Sequence, residues 1–205
     1  MQIYCSVSGV FLENTYFIID EQGGTGIIVD PGLGAIDKLQ GFKPEITWEA
    51  IFLTHAHFDH ILGLNAVYEY TKAPIYLHKD DLFLYNDFIA EAAKFGYKAT
   101  KLPAPDYLWT DGQTISLGLG SFKIIHTPGH TPGGVCIQCK KGVFTGDTLM
   151  HLEVGRTDWF GSFEQLQDSI AKKLFTLNDA VVIYPGHHQQ STIGIEKQSN
   201  QQVFI

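Results

Sequence analysis

Residues Thr54–His60 read T-H-A-H-F-D-H and follow the apolar stretch Glu49–Leu53. Four side chains able to bind metal, His55, His57, Asp59 and His60, fall within six consecutive positions. In a strand, residues two apart share a side, so His55 and His57 can converge on one ion. A helix is expected immediately afterwards, over His60–Tyr70, with Ile61, Leu64, Val67 and Tyr68 on one face and Asp59 at its N-cap. Turning into that helix redirects Asp59 and His60 to a neighbouring point. One loop can therefore feed two adjacent ions, and imidazole with carboxylate suits Zn, Fe, Mn or Co. The bland alternative is a His-rich surface loop. Against it stand the apolar strand and the helix cap, which fix the loop's place.

A second set of ligands is expected at other strand ends. His130 lies in T-P-G-H after a strand ending at His126, Asp147 in F-T-G-D after one ending at Thr145, and His187 in Y-P-G-H after one ending at Tyr184. A glycine precedes each of the three, and glycine lets the backbone turn sharply beside an ion.

The remaining organisation is that of an α/β chain. Strands are expected at Gln2–Ser8, Asn14–Asp20, Gly26–Asp30, Glu49–Leu53, Pro74–Leu77, Thr114–Leu117, Ser121–His126, Gly134–Cys139, Gly142–Thr145 and Val181–Tyr184. Gly23-Gly24 reads as a hairpin turn. Helices are expected near Ala35–Gln40, Asp80–Phe95, Phe163–Phe175 and Gly194–Asn200. Each half has strands followed by helices, which implies one sandwich with sheets inside and helices outside. No linker divides the 205 residues, and one domain over 1–205 is expected.

Composition narrows the function. A formal charge of −8 argues against nucleic acid as a partner. No apolar run approaches the ~20 residues of a membrane helix, and the N-terminus has no signal-peptide pattern. Three cysteines make no disulfide framework, and Cys136 and Cys139, three apart in a strand, face opposite sides. They read as ordinary reduced thiols, so a cytoplasmic location is expected.

The series H-A-H-F-D-H, His130, Asp147 and His187, with the early Asn14-Thr15-Tyr16 and Asp30-Pro31-Gly32, resembles the metallo-β-lactamase superfamily over nearly the whole chain. Gly155–Asp158 (G-R-T-D) and the tail Y-P-G-H…S-T-I-G-I-E-K-Q-S-N resemble the short, single-domain glyoxalase II-like (hydroxyacylglutathione) hydrolases. The resemblance implies the αββα fold, two mixed β-sheets flanked by helices. It sorts the ligands too: His55, His57 and His130 for one ion, Asp59, His60 and His187 for the other, Asp147 bridging. The implied cofactors are two divalent ions, zinc first, with iron and manganese as alternatives.

Two ions about 3.5–4 Å apart share a water and lower its pKa to near 7. The implied reaction is hydrolysis of a small-molecule thioester, with Asp59 aligning the nucleophile. A small acyl group would be released from glutathione or a similar thiol. Rivals on the same fold are a lactonase and a persulfide dioxygenase using one iron on His55, His130 and Asp147. Outside catalysis stands a metal-binding or regulatory protein, against which the full ligand set argues. Eighteen residues follow His187, so the helical glutathione clamp of two-domain relatives is expected to be missing or replaced. His187-His188-Gln189 and Asn200-Gln201-Gln202 also depart from the relatives' H-G-P and N-P-F.

Other residues keep two readings. Arg156 binds a substrate carboxylate, or it pairs with Asp158 in its own loop. Asp30 stabilises its turn or buttresses a ligand histidine. His126 is a strand-end residue, His78 packs or caps, His188 points away from the ligands, and His151 is a candidate for the pocket lining. Trp109, Trp159, Phe160 and Tyr184 wall a pocket or fill the core.

Overall fold

A computed structural model describes residues 1–22 and 24–203. Its architecture follows from how the apolar strands divide their two faces. Strands β1 (Gln2–Ser8), β2 (Glu13–Ile19), β3 (Thr25–Val29), β4 (Thr47–Phe52), β5 (Ile75–His78) and β6 (Tyr107–Trp109) form one sheet in that order. Strands β7 (Thr114–Leu117), β8 (Gly120–His126), β9 (Val135–Cys139), β10 (Gly142–Gly146), β11 (Val182–Pro185) and β12 (Ser191–Thr192) form the other. Both are mixed: β3–β6 run parallel in the first, and β10 runs parallel to β11 in the second.

Because side chains alternate along a strand, one face of each sheet meets the other. Ile18, Ile27, Phe52 and Trp109 pack there against Phe122, Ile124, Ile137 and Phe144. Phe17, Ile28 and Ile51 point outward beneath α1 (Ala35–Leu39), α3 (Leu64–Thr71) and α4 (Leu82–Lys94). On the far side Ile125, Cys136, Val143 and Ile183 pack under α5 (Phe163–Ser169) and α6 (Ile193–Ser199). The result is the αββα sandwich, and with both faces covered β2 is buried end to end.

The expected helix over His60–Tyr70 is two helices. Phe58–Ile61 forms α2, and α3 begins at Leu64. At the break the backbone of Gly63 bonds outside the helix and packs on the Pro31–Gly32 turn. Gly63 donates its N–H to Pro31 O, and a Cβ on Gly63 would lie 2.0 Å from Gly32 O. His57 therefore holds the N-cap position of α2, without a side-chain cap bond, and Asp59 lies in its first turn.

A 3-10 turn, Lys79–Asp81, precedes α4, and a π-helical turn, Ile170–Leu174, ends the α5 segment. Strands β6 and β12 were not legible in the sequence. Of the Gly23-Gly24 turn, Gly23 lies outside the described residues; the flanking β2 and β3 pair antiparallel. Cys5, Cys136 and Cys139 are free thiols. Among the described residues no helix is long and apolar enough to cross a membrane.

Candidate metal centre

Four strands, β4, β8, β10 and β11, run out at one edge of the sandwich, and the next few residues of each carry His55, His130, Asp147 and His187. The loop after β4 supplies His57 as well, and α2 supplies Asp59 and His60. The seven expected side chains meet in two groups. Nitrogens of His55, His57 and His130 lie within 4.8 Å of one another, as do donor atoms of Asp59, His60 and His187.

In the first group His130 Nε2 is 2.8 Å from His57 Nδ1 and 3.3 Å from His55 Nε2. In the second, His187 Nε2 is 3.3 Å from His60 Nε2 and 3.4 Å from Asp59 Oδ2. Asp147 touches both: Oδ2 is 3.5 Å from His130 Nε2 and 3.5 Å from His187 Nε2, and Oδ1 is 3.4 Å from His60 Nε2.

Hydrogen bonds on the far ring nitrogens explain why these imidazoles present lone pairs inward. His130 Nδ1–H donates to Arg156 O at 2.6 Å, and His187 Nδ1–H to Phe11 O at 2.9 Å. His60 Nδ1 faces Asp30 Oδ2 at 3.2 Å. Thr54 Oγ1 donates to Asp30 Oδ2, which leaves it to accept from His55 Nδ1 at 3.1 Å. Four rings thus turn Nε2 to the centre, whereas His57 turns Nδ1.

The donor set fits a pair of cations. Asp147 Oδ1 is buried with no hydrogen-bond partner, an expensive state for a carboxylate unless a cation completes it. Burial, then neighbouring histidine charge, pulls the His57 pKa down to about 3. Burial also lowers His55 and His130, so these rings are neutral and free to coordinate. Burial alone would raise Asp147, but His60 and His187 hold it well below the usual range.

Of the two readings open to it, Asp30 takes the second and buttresses ligand histidines rather than its own turn. Its Oδ1 accepts from Thr54 N at 2.7 Å and its Oδ2 reaches His60. Of the three glycines before ligands, Gly186 lies hardest against the donors: a Cβ there would lie 2.2 Å from Asp147 Oδ1.

Several residues escaped sequence reasoning. Asp81, fully buried, accepts from Ala56 N at 3.1 Å, Thr131 Oγ1 at 2.9 Å and Gly133 N at 2.6 Å. It clamps the loop of His55 and His57 to the loop of His130. Asn14 Nδ2 ties β2 to the His187 loop through Pro185 O and His188 O. Glu196, also buried, accepts from Leu152 N and Asn200 Nδ2 and holds the strap that leads to Arg156. A buried carboxylate that bridges loops carries no local sequence signal.

The other histidines lie apart from the donors. His78 and His126 stack at 4.1 Å on each other, and His126 Nε2 donates to Pro132 O. His151 faces Glu196, and His188 pairs with Glu153 at 3.1 Å on the cavity rim. Arg156 also lines the cavity, but its guanidinium is spent on Asp158, with bonds of 3.0 and 2.6 Å. The cavity beside the donors is about 330 Å³. A larger groove, about 810 Å³, runs between α4 and the segment 101–108, away from the donors.

A model of the metallo-beta-lactamase superfamily matches residues 8–187. The chain belongs to the metallo-beta-lactamase superfamily. A hydroxyacylglutathione hydrolase, GloC of Haemophilus influenzae, is 35% identical over 196 residues, covering 93% of this chain and 92% of that protein. Among solved structures, the BLEG-1 B3 metallo-beta-lactamase has a TM-score of 0.91 at 32% identity, covering 98% and 99% of the two chains. TTHA1623, solved in a di-iron-bound form, has a TM-score of 0.83 at 32% identity, covering 96% and 98%. The chain is a metal-dependent hydrolase of this superfamily.

Proposed function

We propose that the chain is a dinuclear thioester hydrolase of the hydroxyacylglutathione hydrolase type. The observation that carries this reading is Asp147, within 3.4–3.5 Å of histidines from both donor groups. His55, His57 and His130 would hold one ion, Asp59, His60 and His187 the other, with Asp147 shared. Two divalent cations so held would supply a Lewis acid for the substrate carbonyl and would lower the pKa of a water to about 7.

The chain's own part is orientation and proton handling. The Asp59 side chain is 15% exposed and lines the cavity, so it can accept a proton from the attacking water. Burial pushes the Asp59 pKa up, but the charges of His60 and His187 bring it below its usual value. Asp59 and Asp147 are thus both ionised before attack, so the one proton in place for a leaving group is the one Asp59 takes from the water. That suits a thiol, which with a pKa of ~8.5 leaves as its anion without it. The 35% identical GloC supports the same class.

The test uses protein purified without added metal, assayed together for metal content, O₂ uptake and S-lactoylglutathione hydrolysis. Two ions per chain and thiol release without O₂ uptake are expected. One iron per chain, with O₂ consumed on glutathione persulfide, would overturn the reading in favour of a dioxygenase.

A further inference from the structure

The cavity beside the donors has an aromatic wall that hydrolysis of a small acyl group does not use. Phe58 and Phe95 stack at 4.5 Å. Phe11 stands edge-on to them at 5.5 and 5.4 Å, and Trp159 edge-on to Phe95 at 5.4 Å. The wall reaches the donors directly, because Trp159 is 6.1 Å from the His57 ring and Phe58 adjoins Asp59 in α2. Phe11 and Trp159 are each 40% exposed although the surrounding rings are packed. Contiguous aromatic surface left wet in a concavity marks a ligand site.

The charge pattern points the same way. Among the described lining residues Arg156 is the single lysine or arginine, and it is bonded to Asp158 and laid 5.5 Å over Trp159. Glu153 and Asp59 add negative charge to the lining. Apart from the ions themselves, a thiol bearing two carboxylates meets no unpaired lysine or arginine among the described lining residues.

We infer that the substrate places an aromatic or bulky apolar acyl group against Phe11, Phe95 and Trp159, with Phe58 packed behind them, and that its thiol needs no carboxylate. This rests on the thioester reading. A methyl-sized acyl group leaves the wall exposed to water. A phenyl group covers it, and burial of apolar surface at the site is retained in the transition state.

The test is a panel of three thioesters: S-lactoylglutathione, S-mandeloylglutathione, which replaces the lactoyl methyl with phenyl, and the mandeloyl thioester of N-acetylcysteamine. The expected kcat/KM for mandeloylglutathione exceeds that for lactoylglutathione by about tenfold or more, chiefly through KM. Exchange of glutathione for N-acetylcysteamine is expected to change kcat/KM by less than about threefold. Trp159→Ala, at a half-exposed position, should narrow the mandeloyl preference to a few-fold.

Equal or better use of the lactoyl thioester, or a tenfold loss with N-acetylcysteamine, would overturn the inference. So would a Trp159→Ala variant that leaves the preference intact. If no thioester is cleaved, the thioester reading fails by itself. Calorimetry with the inert thioethers N-acetyl-S-benzylcysteamine and N-acetyl-S-methylcysteamine then decides the inference. Tighter benzyl binding by about tenfold, lost in Trp159→Ala, supports an aromatic subsite; equal binding by the two overturns it.

Discussion

The two halves of the sandwich contribute to the same centre by different means. The first half delivers four donors from one loop and one short helix, braced by side chains: Asp30 on Thr54 and His60, Asp81 on Ala56. The second half delivers three donors from three separate strand ends. Two of these, His130 and His187, are braced by backbone carbonyls, those of Arg156 and Phe11. Side-chain braces can be removed one at a time. Backbone braces yield only when the chain path itself is forced to move.

The sharpest way to break this arrangement is in the second half. Gly186→Val drives a side chain into Asp147 and His60, since even a Cβ would lie 2.2 and 2.6 Å from them. The variant should bind neither ion stoichiometrically and lose activity by more than about 100-fold, beyond the range for loss of an outer partner. Metal analysis and turnover on one preparation check this.

The side-chain braces should cost less. Asp81→Asn puts amide hydrogens among the donors Ala56 N, Thr131 Oγ1 and Gly133 N. Metal affinity should fall about 10- to 100-fold, with stability lower by about 1–3 kcal/mol from unsatisfied buried groups. Competition with a chromophoric chelator and urea unfolding measure the two separately. Asp30→Asn should weaken the Asp59–His60–His187 group more than the other, because Asp30 reaches His60.

The donor groups should also separate by pH in chelator-treated protein. Burial holds His57 at about 3, while the unfolded ring titrates near ~6.5. Between those values the unfolded chain takes up a proton that the folded chain refuses, so His57 makes stability fall as pH drops from about 6.5 to about 3. His60 and His187 have the opposite sign. Burial opposes their charge, but Asp147 and Asp59 raise both pKa values above the ordinary one. Their contribution is complete below about pH 6.5 and is lost as pH rises through the folded values. His57→Gln should therefore flatten the acid limb of a stability–pH curve, and His187→Gln the neutral-to-alkaline limb.

The smallest effect is expected at Arg156. Its guanidinium is exposed and paired with Asp158 within its own loop, and exposed pairs contribute little. Arg156→Ala should leave the melting temperature unchanged and shift KM by less than about threefold. A tenfold rise in KM would instead give it the carboxylate-binding role open to it from the sequence.

The unequal legibility of the two halves has the same origin. The loop His55–His60 could be read because its geometry is set by spacing over six residues. His130, Asp147 and His187 could be read because each follows a strand and a glycine. Asp81 could not, since its partners lie 25 and 50 residues away in sequence and meet only in the folded chain. The break between α2 and α3 was hidden for the same reason, because Gly63 is pressed against Gly32 by tertiary packing. The aromatic residues divided as composition alone could not foretell: Trp109 and Tyr184 are core, whereas Trp159 and Phe160 are exposed.

The most direct test of the centre is a calorimetric titration of chelator-treated protein with Zn²⁺, run on the wild type and on His55→Ala and His187→Ala. The expected result is two sites per chain in the wild type, with each variant losing a different one. A single site in the wild type, abolished equally by both substitutions, would contradict the division into two donor groups joined by Asp147.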